Sequence, residues 1–227
     1  MKRITYILVV FCLTACAAKQ KISYSKEGVV EMYSAMPIDV DIRVLTDGRA
    51  TNSDGIFQAS ESNQTKKLKK MICINSEKYY GKDSVVFQIS REIAEHFKAA
   101  KLFRNTTFNT SESASYYLIG NLLWFYGEQD YSMGAAVGAQ FGLIGALSTM
   151  NVKTPGAIKI EISDLALYNR SGEVVKEFGS FSKEYVEEMP ADAYCWCMYR
   201  NINEKLKDFN QGLSEKIKAE LVGVVFD

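Results

Sequence analysis

The run YYLIGNLLWFY at residues 116–126 decides the fold. Large apolar and aromatic side chains occupy odd and even positions alike, interrupted only by Gly120 and Asn121. A strand with one wet face would alternate with polar residues, so this one reads as a central strand covered on each side. Downstream, Ile158, Ile160 and Ile162 alternate with Lys159 and Glu161, a second strand continuing to about Tyr168. Asn169–Gly172 is a turn, and Glu173 to Tyr185 returns as the hairpin partner. Upstream, Ile38, Val40, Ile42 and Val44 alternate with Asp39, Asp41 and Arg43, a half-buried strand that ends at the Asp47-Gly48 turn. Met71 to Asn75 and Phe103 to Phe108 read as short strands.

Between them Val86, Ile89, Ile93, Phe97 and Ala100 recur at helical spacing after a capping Asp83 or Ser84, which predicts a helix ending near Lys101. Tyr199, Ile202, Leu206, Phe209, Leu213, Ile217 and Leu221 predict a long final helix with a charged outer face. The order is strand, helix, strands, hairpin, helix. It predicts an α/β (or α+β) fold: a mixed sheet with one central helix and a long C-terminal amphipathic helix packed on it. Residues 37–227 form one domain with a polar insertion at 46–70.

The 227 residues are 47% hydrophobic and 24% charged, ordinary for a globular chain and wrong for a collagenous or polytopic membrane protein. Basic and acidic residues balance at 27 each, so no basic excess points to nucleic acid. A single histidine makes most metal and general-base chemistry hard to assemble.

Lys2 and Arg3 precede a ten-residue apolar run, Ile4 to Leu13, too short to span a bilayer but right for a signal peptide. The run ends in Leu13-Thr14-Ala15-Cys16, which resembles a bacterial lipobox. That resemblance implies removal of residues 1–15, acylation of Cys16 and a lipidated tether over 16–36. Three acyl chains make attachment effectively permanent. Ala17, rather than Asp, resembles the sorting pattern of outer-membrane lipoproteins. Cys73, Cys195 and Cys197 are then left, an odd set that allows one disulfide at most or three free thiols. No second Cys or His pair closes a tetrahedral zinc site around Cys195 and Cys197.

From Tyr131 to Val152 no residue is charged. Read as a helix, the stretch places Gly134, Gly138 and Gly142 four apart on one face, open to a close backbone neighbour. Read as strands, it puts Met133, Val137, Phe141, Leu143 and Leu147 on one face and small residues on the other. A glycine-rich loop packed on its own protein is the third reading. Gly134, Gly138, Phe141, Gly142 and Gly145 are the candidate membrane- or partner-insertion residues.

Tyr117–Gly120, Gly138-Ala139-Gln140-Phe141-Gly142, Gly145-Ala146 and Ile158–Val174 with its Ser171-Gly172-Glu173-Val174 turn together resemble the curli secretion channel lipoproteins. The helix from Val86 to Ala100 followed by Phe103 resembles the wider group of auxiliary lipoproteins with a fold like the TolB N-terminal domain. In the channel family the apolar excursion is a hairpin given to an oligomeric outer-membrane barrel. In the wider group the domain serves envelope assembly or transport.

No nucleophile elbow, phosphate loop or dinucleotide fingerprint occurs. His96 falls beside the helical stripe and reads as a core histidine. Glu187, Glu188 and Asp192 read as a solvated patch, and Tyr194, Trp196 and Tyr199 as core or interface anchors. The expectation is a non-catalytic, lipid-anchored periplasmic protein without a cofactor. It would meet membrane lipid through Cys16 and envelope protein partners through its surface, as an auxiliary or scaffold in envelope assembly or transport. The alternative is a homo-oligomeric secretion-channel subunit.

Overall fold

The computed structural model describes residues 21–49, 55–58, 69–73, 83–110, 114–130, 132, 134, 137, 152–190 and 196–226. Its elements are β1 (Met36–Ile42), β2 (Thr46–Asp47), β3 (Gly55–Gln58), β4 (Lys69–Cys73), α1 (Val85–Ala99), β5 (Phe103–Phe108), β6 (Tyr116–Asp130), β7 (Lys153–Asn169), β8 (Val174–Pro190) and α2 (Trp196–Leu221). The strands form one mixed eight-stranded sheet, the predicted class.

The strand β6 is the spine. Along one edge it pairs antiparallel with β7 from Tyr116–Asn169 to Gln129–Gly156. Along the other it meets β1 in parallel at Tyr116–Leu118, β2 in parallel at Asn121–Leu122, and β4 antiparallel at Gly127–Asp130. The flanks are β5 beside β1, β3 beside β4, and β8 beside β7.

Both helices lie on one face. The N-cap of α1 is Ser84, whose Oγ accepts from Phe87 N at 3.2 Å, and beyond its end Lys101 adopts φ 52°. Its buried stripe of Val86, Ile89, Ile93 and Phe97 joins Val40, Ile42, Leu118, Leu122, Phe125, Ile158, Ile160 and Ile162 in a single core. The stripe of α2, Ile202 to Leu221, completes that core over β7 and β8, with Phe181 and Phe209 at 5.0 Å between centroids. Beside them Asp208 accepts from Lys183 (2.8 Å) and Tyr185 (2.7 Å). Burial alone would raise the Asp208 carboxyl; these donors outweigh it and hold it below the usual range.

Three expectations are corrected. First, β6 is central but not covered on both faces: Ile119 and Trp124 remain 38% and 39% exposed. Second, residues 46–70 are not loop throughout. They contain β2, β3 and the start of β4, short strands that period-two counting misses because each spans five residues or fewer.

Third, the described part of the supposed tether is docked. Ile22 is 0% exposed, and residues 21–36 run as a strap in the groove between α1 and α2. Ile22 N donates to Gln88 Oε1 at 3.1 Å. The Asn203 amide clasps both sides of Ile22, accepting from Ser23 N and donating to Lys21 O, each at 3.1 Å. Further along, Met32 N donates to Ala100 O (2.7 Å) and Lys218 Nζ to Ser34 O (2.9 Å). Burying an Ile side chain stabilises by roughly 1.5–3 kcal/mol, enough to order a strap whose polar groups are also matched.

Candidate functional site

The sequence-predicted sites fall largely outside the described residues. Cys16, Gly138, Phe141, Gly142, Gly145 and Cys195 lie outside them. Cys73 is placed at the end of β4 and Cys197 in the first turn of α2, both by backbone alone, so the disulfide question also lies outside them. Gly134 and Val137 are described and helical, as the first of the three readings of 131–152 requires at those positions. The ends of that stretch are firmly set, because β6 and β7 stay paired to Gln129–Gly156. It therefore leaves and re-enters the sheet at one place.

Among the described residues, several polar side chains that could do chemistry are held in structural contacts. His96 is 0% exposed, with Nδ1 2.9 Å from Tyr24 Oη, and Asn210 Nδ2 donates to that oxygen at 2.7 Å. With one lone pair filled by Asn210, the Tyr24 hydroxyl is free to donate to Nδ1, which selects the neutral imidazole. Burial pushes the His96 pKa down to about 4; the Gln211 side chain pulls the other way, and the Lys26 and Lys207 ammonium groups add to the lowering. Burial likewise raises the Tyr24 phenol. Glu92 is paired with Lys26 at 2.5 Å. Glu187, from the predicted acidic patch, is bound by Lys205 at 2.8 Å. Among the described residues no group of three His, Cys, Asp or Glu could hold a metal ion, and no helix is long and apolar enough to cross a membrane.

The surface that remains is the face of the sheet opposite the helices. There Trp124 and Tyr126 stand edge to face at 6.0 Å, Lys159 Nζ sits 5.0 Å from the Trp124 ring centroid, and Glu161 holds the same ammonium at 2.8 Å. Tyr126 Oη donates to Glu128 at 2.6 Å; burial first, and then this bond and the carboxylate's charge, raise its phenol. Towards the other end, Arg43 lies over the Tyr117 ring at 4.4 Å, with Ile119 between the two groups along the strand. Trp, Tyr and Arg are enriched in protein contact surfaces and Lys and Glu depleted, so Trp124, Tyr126, Tyr117 and Arg43 fit such a surface while Lys159, Glu161 and Glu128 fit its rim. Sequence reasoning placed Tyr117, Ile119, Trp124 and Tyr126 in a strand covered on both sides, and read Arg43 and Lys159 as polar alternants of half-buried strands. The signal for the outer face is in β7, the partner of β6, where Lys159 and Glu161 alternate with the buried Ile158, Ile160 and Ile162.

No family model matches the chain, and no curated protein is similar to it in sequence. Its fold is shared with a solved structure. A Xanthomonas campestris protein of the DUF330 family superposes with a TM-score of 0.52 at 10% identity, over 92% of this chain and 100% of that one. The PelC dodecamer subunit from Paraburkholderia phytofirmans gives 0.36 at 8% identity, over 83% of this chain and 92% of that one.

Proposed function

We propose that this chain is a lipid-anchored, non-catalytic envelope lipoprotein. It is held at the outer membrane, facing the periplasm, through acylated Cys16, and it acts as an auxiliary or scaffold in envelope assembly or transport by docking protein partners. The observation that carries the reading is the sheet face left open by two helices that both pack on the other side, with Trp124, Tyr126, Tyr117, Arg43 and Lys159 displayed on it. The lipobox ending at Cys16 supports the anchor, and the burial of His96 leaves the chain's single imidazole unavailable as an exposed base.

The test is in-cell photocrosslinking with a photoreactive residue at Ile119 on the open face or at Glu215 on the outer side of α2. A discrete crosslinked species from Ile119, absent from Glu215 and lost on Trp124→Glu, supports the docking face. Equal products from both positions overturn it. Fatty-acid labelling of the intact chain and of Cys16→Ser tests the anchor separately.

A second reading is an oligomeric secretion-channel subunit. It is favoured by the β6–β7 pairing out to Gln129–Gly156, which brings the two ends of the uncharged run at 131–152 to one end of the sheet. Detergent-stable oligomers and ion conductance that vanish on deletion of residues 133–150 support it; a monomer in detergent rules it out.

A further inference from the structure

The strap has a direction. From Ser34, beside Lys218, it runs back along α2 to Lys21, clasped by Asn203, and so it travels towards the N-terminal end of that helix. The same region of α2 sits over the far end of β8, where Lys205 binds Glu187 and its carbonyl accepts from Tyr185 at 3.1 Å. In register, Glu187 is level with Gly156, and Gly156 with Gln129. The strands finish just beyond, at Lys69, Asp130, Lys153 and Pro190.

Five peptide steps separate Cys16 from Lys21, a reach of at most about 18 Å when fully extended. The opposite end of the sheet, the β7–β8 turn at Arg170–Gly172, lies thirteen residues of β8 away from Glu187, about 43 Å at strand rise. So short a leash cannot bring that turn to the surface in which Cys16 is embedded unless the whole domain lies flat.

We infer that the sheet end formed by Asp130, Lys153 and Pro190, with the first turn of α2, rests on the lipid bilayer that holds Cys16, and that the β7–β8 turn points away from it. This rests on acylation of Cys16, as proposed above. The charges at this end, Lys21, Lys70 and Lys153 against Asp130 and Glu188, are mixed, so the leash and its exit set the orientation rather than a net attraction. The uncharged run read in the sequence at 131–152 joins the sheet at this same end, and its composition suits a lipid neighbour.

The test uses the full acylated chain in phosphatidylethanolamine–phosphatidylglycerol vesicles containing headgroup-nitroxide lipid. A fluorescent amino acid is incorporated at Lys153 or at Ser171, two solvent-exposed positions at opposite ends of the sheet. The expected result is loss of most emission at Lys153 and retention of most of it at Ser171. Equal quenching at both positions, or stronger quenching at Ser171, overturns the orientation. Vesicle flotation is read on the same samples. If the acylated chain fails to float, or Cys16→Ser floats equally well, the anchoring reading falls and the orientation with it. A floating chain with the reversed quenching pattern refutes the orientation alone.

Discussion

The strap makes stability depend on pH through the chain's one histidine. His96 is fully buried in the fold, with a pKa near 4 against 6.5 for a free imidazole. The unfolded chain therefore binds the proton first as pH falls, and between these values it carries more protons than the folded one. Stability from this group is fully present above pH 6.5 and is lost as pH drops towards 4. Integrating between the two values, about 2 kcal/mol disappears from pH 7.5 to pH 5, and about 3 kcal/mol by pH 4. Carboxylates held low in the fold, such as Asp208 and Glu220, lose their contribution as pH falls through the ordinary carboxylate range towards their lowered values, so from pH 7.5 to 5 the imidazole dominates. Urea denaturation of the wild type and of His96→Gln at these two pH values measures the effect. The variant keeps a polar group beside Tyr24 but cannot titrate there. Its stability should change by about 2 kcal/mol less than the wild type's across the window. Parallel curves for the two proteins would refute the reasoning and return His96 to a site that accommodates the imidazolium.

Other consequences follow from single contacts. A Cβ added at Gly120 would stand 3.0 Å from Leu165 Cδ1 and 3.2 Å from Ser163 O, so Gly120→Val should cost about 2–3 kcal/mol in a thermal melt through overpacking. Ile22→Ala removes a wholly buried side chain from the strap and should lower stability by about 2–4 kcal/mol, read by urea denaturation. Asn203→Ala breaks both hydrogen bonds that flank Ile22, and faster amide exchange at Ser23, with the core strands unchanged, reports the released exit point. Trp124→Glu on the open face gives up the Tyr126 and Lys159 contacts but no side chain of the core, so it should cost about 1–2 kcal/mol in a thermal melt and leave the chain folded, while abolishing the Ile119 crosslink.

The elements that the sequence disclosed share a reason. In α1, the spacing of Val86, Ile89, Ile93 and Phe97 and the Ser84 cap point to one answer, and the structure places the helix at Val85–Ala99. The β7–β8 hairpin was legible because the alternation of Ile158, Ile160 and Ile162 agrees with the Asn169–Gly172 turn, although both strands run several residues further towards Lys153 and Pro190. The open face was hidden because β6 is apolar on both sides. Apolarity in a sequence records what could be buried, whereas Trp124 and Ile119 stay partly exposed because both helices chose the other face. The strap was hidden by its brevity. Ile22-Ser23-Tyr24-Ser25 does alternate, but a two-sided groove between helices leaves no periodic signature beyond those four residues.

The sheet also constrains how partners can bind. Among the described residues, β8 pairs only with β7, so a strand of 17 residues presents a free edge. Such an edge invites pairing with another chain unless it is guarded. This one carries Lys176, Glu177, Lys183, Glu184, Glu187 and Glu188, closes on Pro190, and breaks register against β7 around Gly179, which adopts φ +66°. A bulge and a row of charges make continuous augmentation along β8 costly, since an incoming strand would have to desolvate them and follow the kink. The open face is guarded less: Lys159 and Arg43 are each paired with a carboxylate of their own strand region, Glu161 at 2.8 Å and Asp41 at 3.2 Å, but they also lie over the Trp124 and Tyr117 rings, whose apolar area stays available to a partner. If the strand tips rest on the bilayer, that face stands roughly along the membrane normal, reachable from the side by a neighbour in the same membrane and from above by a periplasmic one. Docking by face rather than by edge is therefore the mode that the charge pattern of β8 and the aromatic pattern of β6 jointly favour.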